Sequence, residues 1–151
     1  MIRCVTNPSD AAGPPGAVLT LDPDPPGEFR AELARHIHAF HGQTVPYSVR
    51  RFGVALRDAD GRLLAGFSGV MSWGWLFVEA VWVDASLRGQ GAGRRLMARA
   101  ESHARAEGCH SAWLDTFQAE AFYLALGYER FGLLEDYPAG QSRAFLRKRL
   151  A

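Results

Sequence analysis

Residues 87–101 read LRGQGAGRRLMARAE. Gly89, Gly91 and Gly93 stand at every second position, arginines flank them, and a run at helical spacing follows. Glycine costs about 1 kcal/mol against alanine inside a helix, so three of them crowded at a helix start need a reason. A turn requiring positive φ would use one, at most two. Three, after a strand-like run, point to a group that approaches the backbone closely. A helix N-terminus presents unpaired N–H groups and a positive dipole, and its natural guest is a phosphate.

The surroundings fit a strand-loop-helix unit. Residues 76–83 (LFVEAVWV) read as a strand that runs into the loop from upstream. Downstream, a helix is expected to about Glu107, with Leu96, Met97, Ala100 and Ala104 as its buried stripe. Glu101 and Arg105 are expected to pair on its surface, and Gly108 is a good stop. SAWLDTF (111–117) is the next strand, and strand, helix, strand implies a right-handed parallel crossover. Further upstream, residues 51–73 read as a hairpin turning at 58–61, where Asp-Gly supplies the φ > 0 position. Gly74 then turns the chain into 76–83. Toward the C-terminus, EAFYLAL (120–126) is a short helix stopped by Gly127, and 128–135 and 142–150 form a hairpin around DYPAG. At the other end, AVLTL (17–21) can make one short strand, and 28–43 a helix with Phe29, Leu33, Ile37 and Phe40 at helical spacing. The expected class is α/β: a mixed, mostly antiparallel central sheet, helices on both faces, and one parallel strand pair.

The 151 residues are read as a single domain over 1–151, with 1–16 irregular. Seventeen Lys+Arg against sixteen Asp+Glu argue against a broadly basic nucleic-acid surface. Arg88, Arg94, Arg95 and Arg99 do cluster, which suits a local anion site better than a long polyanion. Cys4 and Cys109 belong to no C-x-x-C pattern and read as free thiols in a reducing compartment. No apolar leader and no stretch of membrane-spanning length is visible, so a cytoplasmic location without membrane insertion is expected.

Phosphate loops differ in detail. A P-loop needs Lys then Ser or Thr after its last glycine, and here Gly93 is followed by Arg94 and Arg95. A dinucleotide fingerprint would demand a third glycine where Arg94 stands. Asp115, at the end of the next strand, would suit its ribose, but only 36 residues follow it, too few for that fold. Arg88-Gly89-Gln90-Gly91-Ala92-Gly93 instead resembles the Arg/Gln-x-x-Gly-x-Gly/Ala motif of the GNAT superfamily of acyl-CoA-dependent N-acetyltransferases. About 30 residues later, FYLALGYERFG resembles that family's second signature, a Tyr four residues before a Gly-aromatic pair. The resemblance covers about 52–150; before it stands one early helix where the family usually has two.

The resemblance implies acetyl-CoA as co-substrate and an amine as acceptor, without fixing which amine; no metal is expected from the residues. The amides of Gly89, Gln90, Gly91, Ala92, Gly93 and Arg94 would hold the pyrophosphate, with Gly91 and Gly93 permitting backbone approach and Arg88 adding charge. Arg94 and Arg95 read equally well as a solvated helix face. The pantetheine arm would lie between 76–83 and 111–117, with a backbone N–H among Val81, Trp82 and Val83 facing the thioester oxygen. Tyr123 matches the proton donor to the departing thiolate; on residues alone it also belongs to an apolar stripe with Ala119, Phe122 and Leu126. Glu79 matches the position of a base in some members, and reads equally as a salt-bridged carboxylate whose face a bulge would flip. Gln118 stands where many relatives have an asparagine near the cofactor.

For the acceptor, the hairpin tip carrying Glu135, Asp136 and Tyr137 is expected to frame one mouth together with Trp75 and the early helix. Its acidity favours a small cationic amine. Trp73, Trp75, Trp82 and Trp113 read first as core or strand-face residues. Of His36, His38 and His41, only His38 and His41 share a helix face, and no Cys or carboxylate cluster completes a metal site; one of them lining the acceptor pocket is an alternative. A homodimer is admitted, and nucleic-acid partners are not expected. The competing class is a module of the same fold that holds acyl-CoA without turnover.

Overall fold

The computed structural model describes residues 14–150, which fall into two units dividing between Tyr47 and Ser48. In the first, helix α1 (Gly27–Gly42) forms as its spacing predicts, and its stripe residues Phe29, Leu33, Ile37 and Phe40 are exposed. His38 stacks on Tyr47 with ring centroids 3.8 Å apart. The strand expected at 17–21 is absent: the segment is irregular and exposed. No strand among the described residues of this unit stands ready to pair with it, and an unpaired strand is not stable alone. Cys4 lies outside the described residues.

The second unit is a six-stranded sheet. Strands β1 (Val49–Arg57), β2 (Leu63–Ser72), β3 (Trp75–Val83), β4 (Ser111–Thr116), β5 (Glu129–Glu135) and β6 (Ser142–Arg149) lie in the order β1-β2-β3-β4-β6-β5. Only β3 and β4 pair in parallel. The crossover between them carries a 3-10 turn (Ala85–Leu87) and α2 (Ala92–Ala106), and α3 (Glu120–Leu124) follows β4. Gly108 and Gly127 both take positive φ just past a helix, as a helix stop requires.

Period-2 alternation in β2 buries Ala65, Phe67 and Met71 on one face, where Leu96, Met97, Ala100 and Ala104 of α2 meet them. Ala112, Leu114, Ala144 and Leu146 extend that core across β4 and β6. The β2–β3 register carries a bulge: Ser68 pairs Ala80 while Gly69 pairs Val78, so Glu79 is the extra residue. One extra residue shifts strand phase, so Leu76 and Val78 before it, and Val81 and Val83 after it, all turn toward the core.

The expected surface pair of Glu101 with Arg105 does not form. Glu101 falls four residues after Met97, on the buried stripe itself, and its carboxylate receives Lys148 Nζ from β6 at 2.6 Å. Arg105 Nε donates instead to the Leu150 carbonyl. Cys109 is a buried free thiol whose burial pushes its pKa up. No helix among the described residues is long and apolar enough to cross a membrane.

Candidate active site

β3 and β4 pair over three residues only, Trp75 with Ser111, Leu76 with Ala112 and Phe77 with Trp113. Beyond them the strands part. β3 stays bonded to β2 as far as Val83, and β4 to β6 as far as Thr116. The edges that face each other across the gap, 78–83 and 114–116, therefore keep backbone donors and acceptors for an extended chain inserted between them. At the point of divergence the Phe77 and Trp113 rings stack, centroids 4.3 Å apart.

The glycine loop closes the C-terminal end of β3. Asp84 accepts the Ser86 hydroxyl at 2.6 Å and the Ser86 N–H at 2.9 Å, which hold its carboxyl below the usual range and fix the 3-10 turn. Arg88 Nε donates to the Val83 carbonyl at 3.2 Å, and Gln90 Nε2 to the Ser86 carbonyl at 2.7 Å. Gly89 and Gly91 have φ of +73° and +79°, and the space a Cβ would take is open at both. Gly91 is the N-cap of α2 without a side chain, and its carbonyl accepts the Arg95 N–H. The amides of Ala92, Gly93 and Arg94 are thus the unpaired donors of the first turn.

Gly93 has a packing reason of its own, beside the backbone approach expected of it. A Cβ there would stand 3.1 Å from the Phe122 ring tip and 3.6 Å from a Val83 methyl. Its missing side chain lets α3 and β3 close on the helix start, and so couples the loop to the neighbour of Tyr123.

Tyr123 is buried in the core cluster, with Phe122 and Tyr128 edge-on to its ring at 4.9 and 5.8 Å. Burial raises its pKa. Glu79, on the bulge, accepts Arg51 Nη1 at 2.6 Å through one oxygen. Gln118 lies in the loop between β4 and α3, where the Thr116 hydroxyl organises the backbone by accepting the Ala119 N–H at 3.1 Å.

The residues expected to frame one acceptor mouth are not together. Trp75 pairs with Ser111 at the closed end of β4, edge-on to His110. The hairpin tip leads into the start of β6, where Ala144 pairs with Thr116 at the other end of β4. A strand advances about 3.3 Å per residue, and five residues separate the two. Within the tip, Asp136 has φ +55° and accepts the Gly140 N–H at 2.7 Å, so its carboxylate closes its own loop. Tyr137 lies over the Arg143 guanidinium at 4.4 Å, and Glu135 ends β5 opposite Ser142.

An alignment model of the acetyltransferase (GNAT) family matches residues 19–128. The chain belongs to the GNAT acetyltransferase family. It is 45% identical over 93 residues to blasticidin-S acetyltransferase of Streptomyces morookaense, covering 60% of this chain and 68% of that protein. It is 34% identical over 121 residues to acetyltransferase Atu2258 of Agrobacterium fabrum (strain C58 / ATCC 33970), 74% of this chain and 88% of that one. The crystal structure of an acetyltransferase from Bacillus cereus ATCC 14579 superposes with a TM-score of 0.73 at 26% identity, over 85% of this chain and 97% of that one.

Two features of this GNAT protein escaped its sequence. One is the Phe122 contact at Gly93, for which the only signal was a third glycine beyond what a turn needs. The other is Asp115, whose carboxylate accepts Arg143 Nη1 at 2.5 Å. Its position at a strand end was visible, but the arginine comes from β6, 28 residues away.

Proposed function

We propose that this protein is an N-acetyltransferase, moving an acetyl group from acetyl-CoA to the primary amine of a small cationic molecule by direct attack in a ternary complex. The observation that supports this best is the parting of β3 and β4 beside a loop of unpaired amides. The amides of Ala92, Gly93 and Arg94, with Gly89 and Gly91 open to approach, would hold the pyrophosphate. The free edge of β3 would pair with the pantetheine arm, and an N–H among Val81, Trp82 and Val83 would stabilise the developing oxyanion.

The amine nitrogen forms a bond to the thioester carbon, and the carbon–sulfur bond breaks. Tyr123 gives its phenolic proton to the departing thiolate, and the proton that the attacking nitrogen sheds as it becomes an amide restores the phenol. A phenol with an ordinary pKa of about 10 stays protonated at neutral pH and can donate to a thiolate only slightly less basic, an acidity that the burial of Tyr123 weakens. Glu79, with one oxygen committed to Arg51, takes the ammonium proton directly or through water.

Mixing the purified chain with acetyl-CoA and following thiol release as amines are added tests this reading. Blasticidin S, kanamycin, 1,3-diaminopropane, propylamine and β-alanine make a first panel. Amine-dependent thiol release with a matching acetylated product supports it. Tight acetyl-CoA binding with no amine-dependent release across the panel would overturn it in favour of a non-catalytic module.

A further inference from the structure

Going one pair beyond the Phe77–Trp113 stack along each strand reaches Glu79 on the β3 side and Asp115 on the β4 side. Side chains two apart on a strand share a face, so Asp115 lies on the face of Trp113. Glu79, two residues after Phe77, lies on the same face, and its contact with Arg51 agrees, since Phe52 and Val54 pack into the core on the other side. The two carboxylates thus flank the opening of the gap above an aromatic floor. Each gives one oxygen to an arginine, Glu79 to Arg51 at 2.6 Å and Asp115 to Arg143 at 2.5 Å. The other oxygen of each makes no hydrogen bond among the described residues.

The geometry points to Asp115 as the residue that selects the acceptor, by binding a second cationic group a few bonds from the amine that reacts. This rests on the acetyl-transfer reading above and reassigns the acceptor contact from the hairpin tip to β4. Three observations carry it. The side chain of Asp115 is held in place yet 22% exposed. Arg143, which holds it, is itself fixed between the Tyr137 ring at 4.4 Å and the Phe117 ring at 5.7 Å, so little order is lost when a ligand binds. Paired strands lie about 4.8 Å apart and these have parted, which leaves room for one nitrogen at each carboxylate. With Glu79 on the strand that offers the oxyanion donors, the reacting amine belongs on the β3 side and the second cation on the β4 side. The aromatic floor favours cations on both.

The test compares kcat/KM for 1,3-diaminopropane, propylamine and β-alanine in the full chain and in Asp115→Asn, with acetyl-CoA affinity by calorimetry as the check on folding. Asparagine keeps an oxygen for Arg143 while removing the charge. The wild type is expected to prefer the diamine. Losing one charge-assisted contact should cut the diamine's advantage over propylamine about 10- to 100-fold, mainly through KM, and leave acetyl-CoA binding within about twofold. β-Alanine should gain relative to propylamine, because Arg143 is no longer neutralised. A general structural loss would depress all three acceptors together and leave their ratios. Unchanged ratios, or a wild type that favours β-alanine, overturn the assignment of Asp115 while leaving acetyl transfer standing. A wild type inactive across the wider panel overturns both.

Discussion

On the proposed reading Tyr123 combines two roles that usually compete. Its ring fills the core between Phe122 and Tyr128, and the same burial holds its phenol protonated beyond the ordinary range. A phenol is protonated at neutral pH with or without that shift, so the packing contributes a fixed position for the hydroxyl, while the raised pKa makes its proton harder to give up. Tyr123→Phe separates the two, because phenylalanine keeps the ring. If the hydroxyl supplies the proton, kcat should fall about 10²- to 10⁴-fold, with acetyl-CoA affinity and thermal midpoint close to wild type. Wild-type turnover in that variant would return Tyr123 to packing alone. The two flexible glycines divide their labour at the same scale. Gly91 supplies a left-handed N-cap with open space beside it, whereas Gly93 supplies the absence of a methyl against Phe122.

At the scale of elements, α2 links the loop to the far strands: its first turn faces the gap, and its third carries Glu101 to Lys148 on β6. That pair is nearly closed to solvent, with side chains 8% and 23% exposed. Removing one partner of a buried pair strands the other charge, which costs about 3–5 kcal/mol, whereas replacing both by apolar groups is often neutral. Lys148→Met should therefore lower chemical stability by roughly 3 kcal/mol or more, and Lys148→Met with Glu101→Leu should recover most of it. Equal losses in the single and double variants would mean that the cost does not come from a stranded Glu101 carboxylate. The helix itself was legible in the sequence, because its stripe at i, i+3 and i+4 is a local pattern, and so were the loop, the turns and the parallel strand pair. Glu101 was misassigned because periodicity marks a face but does not say that a charge on it has a partner 47 residues away. The bulge at Glu79 was hidden for a related reason: strand phase is set by pairing with β2, which no window along β3 contains. The separation of Trp75 from the hairpin tip was hidden on the same ground, since only the β4–β6 register shows that the two are at opposite ends of β4.

For the whole molecule, burial of titratable groups sets how stability depends on pH. Tyr123 and Tyr128 are both almost wholly inaccessible, and both phenols are raised, Tyr128 by burial and then by the neighbouring Glu101 carboxylate. An unfolded tyrosine ionises near pH 10 while these remain protonated in the fold. Above that pH the native state binds more protons than the unfolded one, so stability falls with rising pH, by about 1.4 kcal/mol per unit for each such group. Below pH 10 both states are protonated and the contribution is complete. Cys109 acts in the same sense from a lower starting point, and a Cys109→Ala background removes it. In that background, denaturant unfolding from pH 8 to 11 should show a plateau and then a decline approaching two protons per molecule. Tyr128→Phe should halve the limiting slope, because one of the two raised phenols is then removed. A decline with the same slope in Tyr128→Phe would mean that other groups carry the alkaline transition, and that Tyr128 ionises in the fold as freely as it does in the open chain.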